Sequence, residues 1–392
     1  MKKILASFFC LFASTLVAQN AWQQLNDFPF EMSVHVSFAT ANRGYVMTKA
    51  FPGDKRIFQY DPDNDSWVQK GDFPLASSTN YSEAVLDGVP YVLTGDDFTS
   101  EVTLWKYNEG EDSWEAAATE FFNEGFGFSG FFGAAFANHG KIYVHTSSFN
   151  DNFRSYDPLT DTWEILIDSP AVGQLGTEGF SIGDRSYFIF STKEFAGPDS
   201  KDLWELDFDT GEWIEHPPYP GFTEPGFEYP ETIFAIDGFG YVGMTYLESN
   251  FHRFNGEDGS WETIQACGYF GDRAAGFSIN GFAYVAGGSA FDPNSGGNIL
   301  VNDVWRLDPE NLSIVDESET TITFYPNPVG DILLIQGIQN EVAFSIHSLQ
   351  GKLVAEGISE NRTIITSNLP SGMFLITITS EEKTTIKKLI KL

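Results

Sequence analysis

Along the chain, a tyrosine, phenylalanine or leucine is followed seven positions later by tryptophan in five places: Tyr60/Trp67, Tyr107/Trp114, Tyr156/Trp163, Leu206/Trp213 and Phe254/Trp261. The residues between the partners are polar turn formers: DPDNDS, NEGEDS, DPLTDT, DFDTGE and NGEDGS. This pattern predicts a strand, a tight Asx- or Gly-rich turn and a second strand that carries the tryptophan. Upstream, another strand repeats around Tyr45, Tyr91, Tyr143, Tyr187, Tyr241 and Tyr284, and a short apolar strand such as AAFANHG or TIFAIDG precedes it. No comparable stretch carries a helical period of about 3.6.

Four strands per unit and a repeat of about fifty residues are the signature of a propeller blade, and the count of units is six. The repeat resembles the Kelch type over residues 20–315. The chain departs from that type where a Gly-Gly pair survives only as Gly287-Gly288, and where the arginine that often opens a repeat is matched only by Arg273. The sixth unit has its third strand in VWRLDP, yet Ile314 stands where tryptophan is expected. AWQQLNDFP near the start mirrors WVQKGDFP at 67–74 and has no preceding strand partner. Trp22 is therefore expected to complete the sixth blade and tie the ring together, with Leu312–Val315 as the competing closing strand.

At the N-terminus, Lys2 and Lys3 precede an apolar run from Ile4 to Val17 that is too short to span a bilayer, and small Ala18 precedes Gln19. Residues 1–18 thus read as a secretory signal peptide rather than an anchor, and no insertion in a membrane is expected. One cysteine, Cys267, would remain after its removal, so stability has to come from the core rather than from a disulfide. The chain has 37 Phe, 15 Tyr and 9 Trp to build one. Its formal charge of −33 is concentrated between residues 19 and 317, which opposes binding to nucleic acid or an anionic membrane.

After Asp316 the repeat stops, and a segment rich in threonine and isoleucine begins. Tyr325-Pro326-Asn327-Pro328, then FSIHSLQGKLV, then Leu369-Pro370-Ser371-Gly372-Met373-Phe374, then a lysine-rich end follow in order. This order resembles the type A C-terminal sorting domain of type IX secretion cargo. The resemblance implies a small Ig-like β-sandwich read by the type IX translocon, with the cargo released or left on the outer cell surface. The prolines suit the turn that leads into a strand, since they lack amide donors. The expected organisation is all-β: signal peptide 1–18, six-bladed Kelch-type β-propeller 19–316, and sorting sandwich 317–392.

Candidate chemistry is sparse. Some Kelch propellers resemble galactose oxidase, whose copper needs His and Tyr ligands and a Tyr–Cys crosslink. Here Cys267 and Tyr269 are the matching pair, but His35, His139, His145, His216, His252 and His347 show no ligand spacing. Asp61, Asp63 and Asp65 open like a calcium loop with Asp72 at the twelfth position, yet Ser66 replaces the required glycine. No cofactor or metal site is expected. The chain also resembles the sialic-acid mutarotase type of exported Kelch propeller, which implies polar groups around the central channel. His35, Glu83, Glu178, Glu231 and Arg273, near the starts of the inner strands, are the candidates, and their alternative reading is an ordinary wet lining.

Three connections are long and aromatic: 120–132, 217–230 and 267–273. Phe126, Phe128, Phe222 and Phe227 within them are candidate anchors for a glycan or protein, or else a lid that belongs to the core. The leading expectation is a non-catalytic recognition or scaffold protein outside the cell, and the alternative is an extracytoplasmic sugar mutarotase or epimerase.

Overall fold

In the computed structural model the described residues are 21–391 without 50–52, 75–79, 96–100, 122–134, 146–151, 169–173, 194–200, 222–231, 246–247, 265–266, 268–270, 293–296, 313, 316–322, 326–328, 337–341, 349–350, 360–361 and 380–383. Within them the repeats form six antiparallel sheets, each with four strands in sequence order except that blade five gains a fifth and blade six is completed by the N-terminal strand. The inner strands Ser33–Ala39, Asn80–Leu86, Ala135–Asn138, Gln174–Ile182, Thr232–Ile236 and Ala275–Ile279 neighbour one another in a closed circle. The chain is a six-bladed β-propeller.

Turn chemistry defines each blade. The first hairpin closes through pairs such as Asp87-Gly88, His139-Gly140, Asp237-Gly238 and Asn280-Gly281, in which both residues have positive φ, the type I′ geometry that matches strand twist. In the second hairpin, the Tyr60, Tyr107 and Tyr156 hydroxyls donate to Asp65, Asp112 and Asp161 at 2.9, 2.8 and 2.9 Å. Across the first hairpin, Phe38/Tyr45, Phe136/Tyr143, Phe180/Tyr187, Phe234/Tyr241 and Phe277/Tyr284 lie directly opposite, stacked within 18° of parallel. Blade two has Ala84 opposite Tyr91 instead. Such ring pairs add about 1 kcal/mol each beyond the area they bury. Neighbouring blades interlock through them: Phe277 lies so close over Gly44, and Phe180 over Gly240, that a Cβ at either glycine would stand 2.1 Å from the ring.

The ring closes at its N-terminus. Trp22–Gln24 pairs antiparallel with Val304–Leu307, placing Trp22 opposite Leu307. Trp22 is buried against Phe251 of blade five. The zipper continues as Leu25 and Phe28 donate their amides to the Val304 and Asn302 carbonyls, and Met32 bridges Val301. The correspondence with blade one extends to the contact with the next blade. Asn26 donates its amide to Asp65, and Gly71 donates its amide to Asp112 in the same way.

The competing closure through Leu312–Val315 is overturned. Ile314–Val315 pairs with Thr263 and Ile264, adding a fifth strand to the outer edge of blade five. Once Trp22 holds the edge of blade six, the chain leaving that blade has only a neighbour's open edge to satisfy its main chain.

Gly271–Asp272, Ser289–Asp292 and Gly297–Leu300 form a separate three-stranded sheet, and residues beyond the propeller form two more. One comprises Thr323–Tyr325, Ile332–Gln336 and Thr363–Ile365, and the other Leu353–Ile358, Ala343–Ser348, Gly372–Thr379 and Thr384–Lys391. Leu333, Ile335 and Ile364 of the first share one apolar cluster with Ile346, Phe374, Ile376, Ile378 and Leu389 of the second, as two sheets packed face to face require.

Candidate functional site

Strand direction alternates within each blade, so the turns within both hairpins fall on one rim. The starts of the inner strands and the connections between blades fall on the other. The acidic turns therefore lie opposite the channel mouth. Within the Asp61–Ser66 turn the carboxylates serve the turn itself: Asp61 accepts from the Asp63 amide and the Asn64 side chain, and Arg43 lies 3.4 Å from it.

One residue before the stacked ring of each inner strand, or before Ala84 at that position in blade two, stand Ser37, Glu83, Ala135, Gly179, Ile233 and Gly276. Glu83 alone among these six is ionisable. Main-chain amides at this level bond across blades: Gly276 donates to Ser37 Oγ at 3.0 Å and Ala135 to Ser82 Oγ at 2.7 Å. The Ser37 amide and Glu83's own amide bond the Glu83 carboxyl. The residue as a whole is half-buried, but its carboxyl is densely surrounded by protein. Burial pushes that carboxyl up to about 7, against the opposite pull of the two amides.

His35 stands above this level. Val34 pairs with Thr48 and Val36 with Met47, so His35 is the extra residue of a bulge, a device that re-aims a side chain. Its ring lies 4.5 Å from that of Tyr81 in blade two. Burial, helped by the charge of Lys49, lowers His35 to about 4, while the main chain and carboxylate of Asp54 pull the other way. At neutral pH the imidazole is uncharged. Asp54 is itself buried, held by Arg56 at 2.8 Å and by Thr48 Oγ1 at 2.8 Å.

Arg273 is exposed and has a φ of 55°, a left-handed conformation uncommon for a non-glycine residue. Its carbonyl accepts the Val34 amide at 3.2 Å, which fixes the start of blade six against the His35 strand. Main-chain hydrogen bonds thus link the segment of Arg273 to that of His35, and the segment of His35 to Glu83, across three consecutive blades. Glu178 lies on the inner strand of blade four, opposite Ile189. Glu231, Phe126, Phe128, Phe222 and Phe227 lie outside the described residues. Of the aromatic connections, Tyr219 is described, and it is core: it is buried between His252 and Trp261, at 5.1 and 5.6 Å.

Tyr81 and Ser37 belong to the mouth although the sequence pattern did not single them out. Each is recoverable from its offset to the inner-strand level once the spacing Phe38/Tyr45 is used to align the blades. The other histidines are dispersed. His145 is buried in blade three, where burial lowers it to about 4, and His216 bonds Glu205 at 2.8 Å. Cys267 is buried. Among the described residues no group of three or more His, Cys, Asp or Glu side chains is placed to hold a metal ion, and no helix is long and apolar enough to cross a membrane.

In the tail, Tyr325 lies opposite Leu334. Leu369 is buried and Pro370 exposed, and Gly372 opens its strand with a φ of 150°. Pro326, Asn327 and Pro328 lie outside the described residues. Residues 323–392 match the family described as the secretion system C-terminal sorting domain. The chain carries a type IX sorting tail. That tail directs export, to secretion or to attachment at the cell surface, and implies handling by the type IX machinery. No curated protein matches the chain. A solved structure titled "Structure of YjhT" covers 74% of this chain and 99% of its own, with a TM-score of 0.55 and 16% identity. At that identity the likeness shows the propeller fold alone.

Proposed function

We propose that this exported propeller is a recognition protein that binds a glycan or protein ligand at the channel mouth. The main support is the adjacency of the inner-strand segments that carry Arg273, His35, Tyr81 and Glu83 in blades six, one and two, with the His35 ring against Tyr81, toward the rim opposite the acidic turns. Among the described residues, Glu83 takes its hydrogen bonds from main-chain amides rather than from a second titratable side chain, which suits holding a ligand group more than relaying protons. The connections 120–132, 217–230 and 267–273 leave blades on this same rim. Phe126, Phe128, Phe222, Phe227 and Glu231 extend the site in this reading, with Glu178 contributed by the inner strand of blade four, because loops on a rigid scaffold diverge at little cost to stability. A glycan array probed with the propeller, alongside Arg273→Ala and Glu83→Gln, tests it. Binding lost in both folded variants supports the site, and unchanged binding in both removes it.

A second reading, sugar mutarotation or epimerisation, is favoured by one observation: the Glu83 carboxyl rests at about 7, where a general acid–base group works best. Exchange spectroscopy on sugar anomers separates the two readings. Acceleration by the parent and not by Glu83→Gln establishes catalysis, and no acceleration of any anomer leaves recognition alone.

A further inference from the structure

The four-stranded sheet of the sorting domain has two unlike edges. Along one runs Thr384–Lys391, which carries Lys387, Lys388 and Lys391 and is bridged at its end by Val329. Lysines on an edge strand are a common guard against unwanted strand pairing. The opposite edge is Leu353–Ile358, paired on one side with Ala343–Ser348 and, among the described residues, with nothing on the other. It is unguarded. Leu353, Val354 and Ile358 are 43%, 38% and 64% exposed, and Glu356 is its one charge.

The apolar character continues across the outer face. Leu353 lies beside His347, which lies beside Leu375, and Met373 shares the face of Leu375 and stands opposite Ile390. Leu375 and Met373 are 40% and 47% exposed, whereas the alternate residues Phe374, Ile376 and Ile378 fill the core. A bulge at Val354 brings Leu353, Glu356 and Ile358 onto this outer face. Edge and face together expose Leu353, Ile358, Leu375 and Met373, which the domain's own core does not use, with His347 between Leu353 and Leu375, Lys388 beside Leu375 and the polar row Glu356, Ser345 and Thr377 between them and Ile358.

An apolar edge of this kind on a freely diffusing protein invites aggregation. The tail, however, is handled by the export machinery, and cover is needed only while that handling lasts. A second copy of the chain fits poorly as the cover, because a formal charge of −33 repels copies. We infer that the type IX machinery grips the tail here, adding an extended strand along Leu353–Ile358 and laying an apolar counterpart over Leu375 and Met373. Strand addition supplies affinity through main-chain bonds, while the side-chain face supplies selection.

The test uses the full chain in a host with an active type IX system and compares three forms. In the first, Leu353→Lys and Ile358→Lys place on this edge the guard that the other edge already has. In the second, Met373→Ser and Leu375→Ser remove the apolar face. The third stops before Ser318. All four substituted side chains are exposed, so melting and protease resistance of the purified variants should match the parent. The inference expects both substituted forms to stay folded, to accumulate in the periplasm and to fall at least five-fold in the medium or on the surface. Folded variants exported at parental levels overturn it, as does a change confined to oligomeric state, which would assign the surface to a second copy. Should a substituted form misfold, Leu353→Thr and Leu375→Thr alone give the same readout at lower risk. Normal export of the truncated form would instead strike at the sorting role of the tail.

Discussion

The hydroxyl of Tyr107 donates to Asp112, five residues on, across 2.8 Å, while Asp112 holds a left-handed φ of 51°. The same couple recurs as Tyr60/Asp65 and Tyr156/Asp161. Where the donor is lost, as Leu206 or Phe254, the left-handed seat is taken by Gly211 or Gly259. At this seat of the second hairpin, aspartate holds a backbone conformation that favours glycine where a phenol is present to bond it. In a double-mutant cycle, Tyr107→Phe should cost about 1 kcal/mol in the parent and markedly less beside Asp112→Gly. Denaturant unfolding that shows additive effects would uncouple the pair.

Removal of the N-terminal strap should be severe. Trp22→Ala should cost about 3–5 kcal/mol as a buried large-to-small change, and deletion of residues 20–28 should cost more by opening an edge of blade six. Ile314→Ser, on the two-residue fifth strand, should lower the melting temperature far less. Calorimetry on the three proteins checks the order, and a strap deletion that melts with the parent would exclude Trp22 as the closure.

Glu83 and His35 should tilt stability in opposite directions with pH. The raised carboxyl of Glu83 keeps its proton between about 4.5 and 7 in the fold but not in the unfolded chain, so stability falls as pH rises through that window. Glu83→Gln should match the parent near pH 4 and exceed it at pH 8 by no more than about 3 kcal/mol. His35, lowered to about 4, gives stability that is complete above 6.5 and lost as pH falls from there toward 4. His35→Gln should flatten that acid limb. Urea midpoints at pH 4, 6 and 8 resolve both, and parallel profiles for parent and variants would contradict the two environments.

A chain that ends before Ser318 should melt as a folded propeller, since its core and its clasp both lie upstream. Cell fractionation should find it in the periplasm, with the medium and surface depleted.

Much of this fold was legible because it is written repeatedly. The Tyr/Trp spacing marked the outer hairpins, and the likeness of AWQQLNDFP to WVQKGDFP forecast the closure by Trp22; the matching contacts of Asn26 and Gly71 with the next blade emerged only with the structure. A second spacing, Phe38 to Tyr45 and its counterparts, is just as regular, yet its meaning as a stacked cross-strand pair emerges only with the register. The path of Ile314–Val315 was illegible because two residues carry no period, and their partner is chosen by which edge remains open. The mouth was legible only in part. His35 was visible as a polar residue near a strand start, but its bulge was not, and the enclosure of Glu83 depends on Ser37, in the preceding blade and 46 positions upstream.

Blade six is assembled from opposite ends of the propeller, with Trp22 against Leu307. A chain emerging from the ribosome or through a translocation pore cannot own this blade until residue 307 has arrived, however early Trp22 appeared. Every shorter intermediate keeps both flanks of the missing wedge open to foreign strands. The slow step of maturation should therefore be joining the two ends rather than forming any one sheet, because the contacts most distant in the chain demand the costliest loop closure. Completion is a single late event that separates an extended, transportable polypeptide from a sealed disc.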